Sequence, residues 1–259
     1  MIEATYIDHM GSDLSVVNAA RVSFGKQSEW EVDYDNNMFT GENVLSDRDA
    51  KLIHYLSAGM SSKDIEKWRE QMITATDSET VMEAYDALKS AQPHMSPFGH
   101  AFASFHVKAP VFVARQLVKH KFLRWNEISR RYVNEEPEFY EPATYRRKAE
   151  DKKQGSGDAM VPSSSTMRSE AKAILWAKRA YAEMLQDGVC PEQARMVLPQ
   201  SMMTEWYWSG SLDAFADMCN LRCASDTQAE TREVATQISD RMRKLFPVSW
   251  AALVEKNYE

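Results

Sequence analysis

The stretch RQLVKHKFLRWNEISRRY, Arg115 to Tyr132, carries six cations against a single acid, Glu127. The cations are Arg115, Lys119, Lys121, Arg124, Arg130 and Arg131. The chain around them is acidic, with 31 Lys and Arg facing 38 Asp and Glu for a formal net charge of −7. A protein of that balance binds an anion only by concentrating positive charge locally, and this is where it does so. Cations, a histidine and short polar side chains together suit a phosphate-bearing ligand. On charge alone two other readings stay open, a solvated basic helix face and a nucleic-acid patch. The acidic isoelectric point, about 5.5, and the lack of a known nucleic-acid module weigh against the patch.

Working outward, Ala101, Ala103, Phe105 and Val107 alternate with Phe102, Ser104, His106 and Lys108. That is the pattern of a half-buried strand, with only Phe102 out of phase. Pro110 then suits the first turn of a helix whose apolar face is Val111, Ala114, Leu117 and Val118. Nearer the N-terminus, Ser12 and Asp13 precede Leu14, Val17 and Val22, which predicts a capped helix start. Residues 25–49 are polar and rich in Gly, Asn and Asp, and read as a loop or irregular insertion. Residues 50–57 and 62–91 read as helical, with Trp68, Met72, Val81 and Leu88 as core positions.

Downstream, residues 148–166 have loop composition and predict a mobile segment. A helix over 167–187 places Ala171, Ile174, Leu175, Tyr181 and Leu185 on one side, and Gly188 is its natural terminator. Pro191 opens another short helix. The last clear helix runs from about Thr227 to Leu245, with Val234, Ile238 and Met242 at helical spacing. Strands are few and helices many. The expected fold is α+β, a helix-rich single domain, residues 1–259, around a small and mostly antiparallel sheet.

Hydrophobic residues make up 44% of the chain, enough for a core, yet no apolar run approaches the roughly 20 residues of a membrane helix. The opening MIEATYIDHMGSD has acids within its first eight residues and no apolar segment, which argues against a secretory signal. Cys190, Cys219 and Cys223 form no CxxC pair and leave an odd count, so they read as packing residues, and a reducing, cytoplasmic setting is expected.

The basic stretch is more specific than its charge. KHKFLRWNEISRRY, Lys119 to Tyr132, resembles the RHRxxSxNExSxRY signature of the flavin-dependent thymidylate synthases (the ThyX family). His120, Asn126, Glu127, Ser129, Arg131 and Tyr132 match in register, while Lys119 and Lys121 replace arginines and Arg124 replaces a serine. HMSPFGH (His94 to His100) is similar to the family's H-x-S/T-P-F-x-H segment, and FHVKAPVFVARQ (Phe105 to Gln116) to the unit after it. MGSDLSVVNAARVSF (Met10 to Phe24), PEQARMVLP (Pro191 to Pro199) and NLR (Asn220 to Arg222) resemble further blocks, in the family's order. Segments 25–49 and 61–93 are longer than in compact members and read as surface insertions.

The resemblance implies a ThyX-like fold, a homotetramer, and sites for dUMP and FAD shared between subunits. It places Gln116, Lys119, Glu127, Ile128, Ser129, Arg130, Arg131, Arg195 and Arg222 around dUMP. It places Ser96, Lys119, His120, Lys121, Glu127, Ser211, Leu212, Asp213 and Asp217 at FAD. Arg222, Ser129 and His94 are the residues it brings to the chemistry. Arg222 would stabilise charge built on the uracil N3–C4 carbonyl system. Ser129 has no visible base beside it, which favours substrate binding over nucleophilic attack. His94 aligns with a histidine near the flavin and folate.

The implied reaction methylates dUMP to dTMP, with 5,10-methylenetetrahydrofolate as carbon donor and NADPH as reductant through FAD; no metal, membrane or nucleic acid is expected. Lysines at 119 and 121 lack the bidentate fork of arginine, and Asp213 and Asp217 stand where the family often has Arg and Asn. Gly99 and Asp226 replace a common Glu and His. These departures predict weaker flavin retention. They also motivate a rival, a nucleotide-binding sensor with a decayed flavin site, beside the nucleic-acid module already named.

Overall fold

The computed structural model describes residues 1–34, 41–133, 135–150 and 155–254. In chain order the elements are β1 (Glu3–Met10), α1 (Asp13–Arg21), β2 (Glu31–Asp33), β3 (Glu42–Val44), α2 (Asp47–Ala58), α3 (Ser62–Thr74), α4 (Ser78–Ser90), β4 (Phe102–Pro110) and α5 (Val111–Leu117). There follow β5 (Leu123–Glu127), β6 (Tyr145–Lys148), β7 (Ser156–Met160), α6 (Ser164–Gln186), α7 (Pro191–Ala194), β8 (Met203–Ser211), α8 (Leu212–Arg222), α9 (Ala229–Leu245) and α10 (Pro247–Val254). The main sheet has the order β1-β4-β8-β5, and β2-β3 and β6-β7 form separate two-stranded ribbons. The fold is thus α+β with a helical majority and a small antiparallel sheet, as the sequence predicts.

The chain divides into two compact units. The first comprises Met1–Ile7, Ser104–Ser209 and Met218–Ile238. Its core begins on β4, where Phe105, Val107 and Ala109 are fully buried and the residues between them are not. β8 adds Trp206 and Trp208, and Trp125 of β5 stacks on Trp206 with ring centroids 4.2 Å apart. Pro110 caps α5 rather than entering it. The buried face of that helix is therefore Val113, Ala114 and Leu117, while Val118, expected inside, is exposed.

α6 ends as its glycine demands. Gly188 sits at φ +84, its N–H donates to the Leu185 carbonyl, and Val189 N–H reaches Met184. Of the five residues expected on the inner side of α6, only Tyr181 is buried, and Ala171 and Leu175 are exposed. The segment 148–166 is not all loop, since β7 pairs antiparallel with β6 within it; residues 151–154 lie outside the described residues.

The second unit comprises Asp8–Ala103, Gly210–Asp217 and Ser239–Glu259. α1 starts at the Ser12 cap, as expected, with Ser12 N–H donating to Ser15 Oγ at 3.0 Å. Its buried apolar residues are Val16 and Val17, whereas Leu14 is only half-buried and Val22 lies beyond the helix and is exposed. Asp13 does more than open α1. Its carboxylate accepts the backbone N–H groups of Val248 and Ser249, each at 2.9 Å, and so caps α10. Burial pushes the Asp13 carboxyl up, against the lowering pull of those hydrogen bonds.

Three expectations in this unit are corrected. Residues 25–49 are not irregular throughout, because β2 and β3 pair with Glu31 opposite Val44; residues 35–40 lie outside the described residues. Residues 62–91 form two helices, since Asp77 accepts the Thr80 N–H at 2.8 Å and starts a new one. In that pair Ala84 is the buried residue; Trp68, Val81 and Leu88 are half-covered and Met72 is exposed. The pair leaves α2 through Gly59, at φ +73, where a Cβ would meet the backbone of Gln92 at 2.4–2.6 Å.

Candidate active site

The basic stretch is neither a helix face nor one surface. α5 stops at Leu117, a turn carries residues 119–122, β5 follows, and an irregular segment holds 128–132. The turn includes Phe122 at φ +65, a left-handed conformation that a bulky residue adopts only under constraint, and its ring is exposed. That break distributes the expected site residues between two cavities of the first unit.

One cavity, about 420 Å³, is lined by Gln116, Lys119, Gly155, Leu221, Arg222, Asp226, Thr227 and Gln228. Arg222 is anchored in it. Its Nε donates to His120 Nε2 at 2.9 Å, and its Nη2 to the Gln116 carbonyl at 3.4 Å. His120 therefore acts as an acceptor and must be neutral. Burial, and then the charge of Arg222, push its pKa down to about 4. Burial also lowers the Arg222 guanidinium from its ordinary value.

The other cavity, about 490 Å³, brings Glu127, Ile128, Arg130 and Arg195 together with Arg115, Glu192 and Thr204. Glu127 is held at both oxygens, by Thr204 Oγ1 at 2.6 Å and by Trp125 Nε1 at 3.1 Å. Arg195 and Glu192 do not form the ion pair their spacing suggests. Arg195 Nε donates to the Glu192 backbone carbonyl, and the Glu192 carboxylate lies 3.8 Å from Arg131. The α-helix gives way to a tighter turn at Arg195. Ser129 Oγ accepts from Arg131 Nε at 3.0 Å. A guanidinium donor beside a hydroxyl is no base, so the arrangement gives Ser129 nothing to activate it. Lys121 is exposed on the turn.

The second unit holds the remaining candidates. A cavity of about 730 Å³ is lined by His94, Ser96, Tyr55 and Pro97, with Arg21, Lys26, Arg48 and Lys51 among its walls. His94 stacks on Tyr55, with centroids 6.1 Å apart and planes 21° from parallel, and its backbone N–H donates to Leu56 at 2.8 Å. Arg21 is tied to Asp49, which also accepts from Ser28 and Ser46. Leu212 is fully buried and its N–H is used by the Ala101 carbonyl, so its side chain is closed to a ligand in this chain. Asp213 and Asp217 lie one turn apart on α8. Partial burial, then the charge of Asp213, push the Asp217 carboxyl up.

Sequence reasoning missed Thr204, Gln228 and the four cations of the second unit. Thr204 and Gln228 are single polar residues with no local pattern to mark them. The cations are brought together only by folding, since α1 supplies Arg21, the segment after it Lys26, and α2 Arg48 and Lys51.

The model of the thymidylate synthase complementing protein family matches residues 5–248. The chain belongs to that family. The match runs through both units and every motif described above. Among individual relatives, the flavin-dependent thymidylate synthase of Thermus thermophilus is 34% identical over 254 residues, covering 96% of this chain and 74% of the relative. That of Kosmotoga olearia is 33% identical over 254 residues, covering 97% and 90%. Among solved structures, the UMP/dUMP methylase PolB from Streptomyces cacaoi bound with 5-Br dUMP superposes with a TM-score of 0.71 at 27% identity, covering 97% of this chain and 94% of that one.

Proposed function

We propose that this family member is a flavin-dependent thymidylate synthase that converts dUMP to dTMP. The observation that carries the reading is Arg222, half-buried and held by two acceptors in a cavity that also contains Gln116 and Lys119. A guanidinium fixed before the ligand arrives is the group needed where a pyrimidine ring gains negative charge. The full balance is dUMP, 5,10-methylenetetrahydrofolate, NADPH and a proton giving dTMP, tetrahydrofolate and NADP⁺.

The chemistry implied by the family needs a flavin, and the residues fit one in part. The second-unit cavity offers an apolar floor at Leu56 and Pro97, a stacked Tyr55–His94 wall and several cations, which suits a flat ring with an anionic end. In a homotetramer, Ser96 of one copy and Lys119, His120 and Lys121 of another would hold FAD, and Asp213 and Asp217 would weaken the hold on its diphosphate. Bound FAD supplies hydride transfer from NADPH to the new methyl group.

The protein's own residues do the rest. Arg222 polarises the uracil carbonyl. Gln116 and Lys119 fix the nucleotide in the same cavity. Arg130, Arg131 and Arg195 supply charge for its phosphate, and Ser129 contributes a hydroxyl ligand beside Arg131. Seven of the nine expected dUMP ligands line two cavities of one unit, which supports a site completed by a second copy in a homotetramer. Exposed Leu175 and Trp176 on α6, 65% and 62% accessible, are the apolar surface such an assembly would use.

The test is product analysis with dUMP, FAD, NADPH and methylenetetrahydrofolate, each omitted in turn. The proposal expects dTMP only when the folate, the reductant and flavin are all present. Tight dUMP binding with no dTMP would favour a sensor instead.

A further inference from the structure

The side chains behind Arg222 form a directed chain of hydrogen bonds that no sequence motif announces. It starts at Glu230, which is 5% exposed and accepts both oxygens' bonds from Arg146 Nη2, at 2.6 and 2.7 Å. Burial opposes ionisation of Glu230, yet the hydrogen bond from Arg146 and those that follow hold its carboxyl below the usual range. It is an anion, and an anion only accepts.

That fixes the next link. The Gln228 amide must turn its NH2 toward Glu230 Oε2, at 3.1 Å, which leaves its carbonyl oxygen facing Gln116. Gln116 in turn must offer its NH2 to Gln228 Oε1, at 2.5 Å. The Gln116 side-chain oxygen is then left without a partner among the described residues, in the same cavity as Arg222. The backbone carbonyl of Gln116 meanwhile anchors the Arg222 guanidinium. Each amide taken alone could face either way, and the carboxylate removes that freedom from both.

We infer that Gln228 is a positioning residue, set by the Arg146–Glu230 pair, which fixes the Gln116 carbonyl oxygen as an acceptor beside the Arg222 donor and so selects a uracil over a cytosine ring. An acceptor complements the N3–H that uracil carries. Cytosine has a lone pair at that atom, and facing it with a carbonyl leaves two acceptors opposed. The inference rests on the proposed reading of this cavity as the dUMP site. It goes beyond that reading by assigning roles to three residues, Arg146, Gln228 and Glu230, that act through the Gln116 amide.

The experiment is calorimetric titration of dUMP and dCMP into the wild type, Gln228→Leu and Glu230→Gln, with the flavin spectrum and thermal midpoint recorded for each. The wild type should prefer dUMP by about 100-fold or more, as expected of a site built around one hydrogen-bonding pattern. In Gln228→Leu and Glu230→Gln the Gln116 amide is free to turn. The preference should then fall by about tenfold, through weaker dUMP binding and stronger dCMP binding together. A purely structural role would weaken both nucleotides equally and move the thermal midpoint, and an unchanged preference in both folded variants would overturn the inference. Glu230→Gln keeps the volume, so it still decides the matter should Gln228→Leu fold poorly. Failure of the wild type to bind dUMP would overturn the underlying reading instead.

Discussion

The Arg222 cavity and the His94 cavity hold positive charge in opposite ways. In the first unit Arg222 is half-buried, bonded to His120 and Gln116, and backed by the Arg146–Glu230 ion pair, of which Glu230 is buried. In the second unit Lys26, Arg48 and Lys51 are exposed, around a floor of Leu56 and Pro97. A charge that must stabilise a changing ring is fixed in advance, because reorganisation during reaction would cost what the charge supplies. Charges that attract an anionic cofactor or co-substrate can stay solvated and mobile, giving up strength per contact for adaptability. The contrast predicts that small changes will be severe in one cavity and mild in the other.

The sharpest way to break the contrast is Arg222→Lys, which keeps the charge but loses the two-point anchoring. Turnover of dUMP should fall by about 100-fold or more, with flavin content unchanged, measured as dTMP formed under saturating co-substrates. Activity within tenfold of wild type would mean that charge alone suffices and that the anchoring is incidental.

Next in size is the pairing Arg48→Glu with Lys51→Glu. Because these cations are exposed, the double variant should weaken FAD binding roughly tenfold and make it less salt-dependent, with kcat at saturating FAD little changed. A collapse of kcat would show that this cavity is as preorganised as the other.

Asp213→Asn tests the flavin side. Removing a like charge from beside a diphosphate should tighten FAD binding roughly two- to fivefold, read by flavin fluorescence, since the group is partly solvated. Purification without added FAD should yield wild-type protein only partly loaded. Fully loaded wild type would contradict the weak flavin site.

His120 gives the pH dependence. Its folded pKa is about 4 against an ordinary 6.5, so below pH 6.5 the unfolded chain takes up a proton that the folded chain refuses. Stability should therefore fall with pH between about 6.5 and 4, and His120→Asn should flatten that part of the thermal-midpoint profile. The group is only partly buried, so the effect should be small. Smaller still is the effect of Asp13→Ala, which uncaps α10 at about 1 kcal/mol while also removing a buried acid, measured by denaturant unfolding.

How far the sequence told these things depends on whether the signal was local. The alternation from Ala101 to Val107, the Gly188 terminator and the Val234–Ile238–Met242 spacing are short-range patterns, and each appears in the structure as expected. The face of α5 slipped because Pro110 ended up one position earlier than assumed. α10 went unread because its cap, Asp13, is more than 230 residues away in sequence. Within 61–93 the break at Asp77 is a capping signal, Asp before Ser-Glu-Thr, that helical periodicity alone does not register. The candidate site divides similarly. The signature residues could be named from their spacing, whereas Thr204, Gln228 and Glu230 act only through contacts that folding creates.

The central claim is that the Arg222 cavity activates the pyrimidine for substitution at C5. Its most direct test is release of tritium from dUMP labelled at C5, in the presence of FAD, NADPH and methylenetetrahydrofolate. The account predicts release matched to dTMP formed, and abolished by Arg222→Lys far more than by any change in the His94 cavity rim. Bound dUMP that keeps its label under those conditions would contradict it.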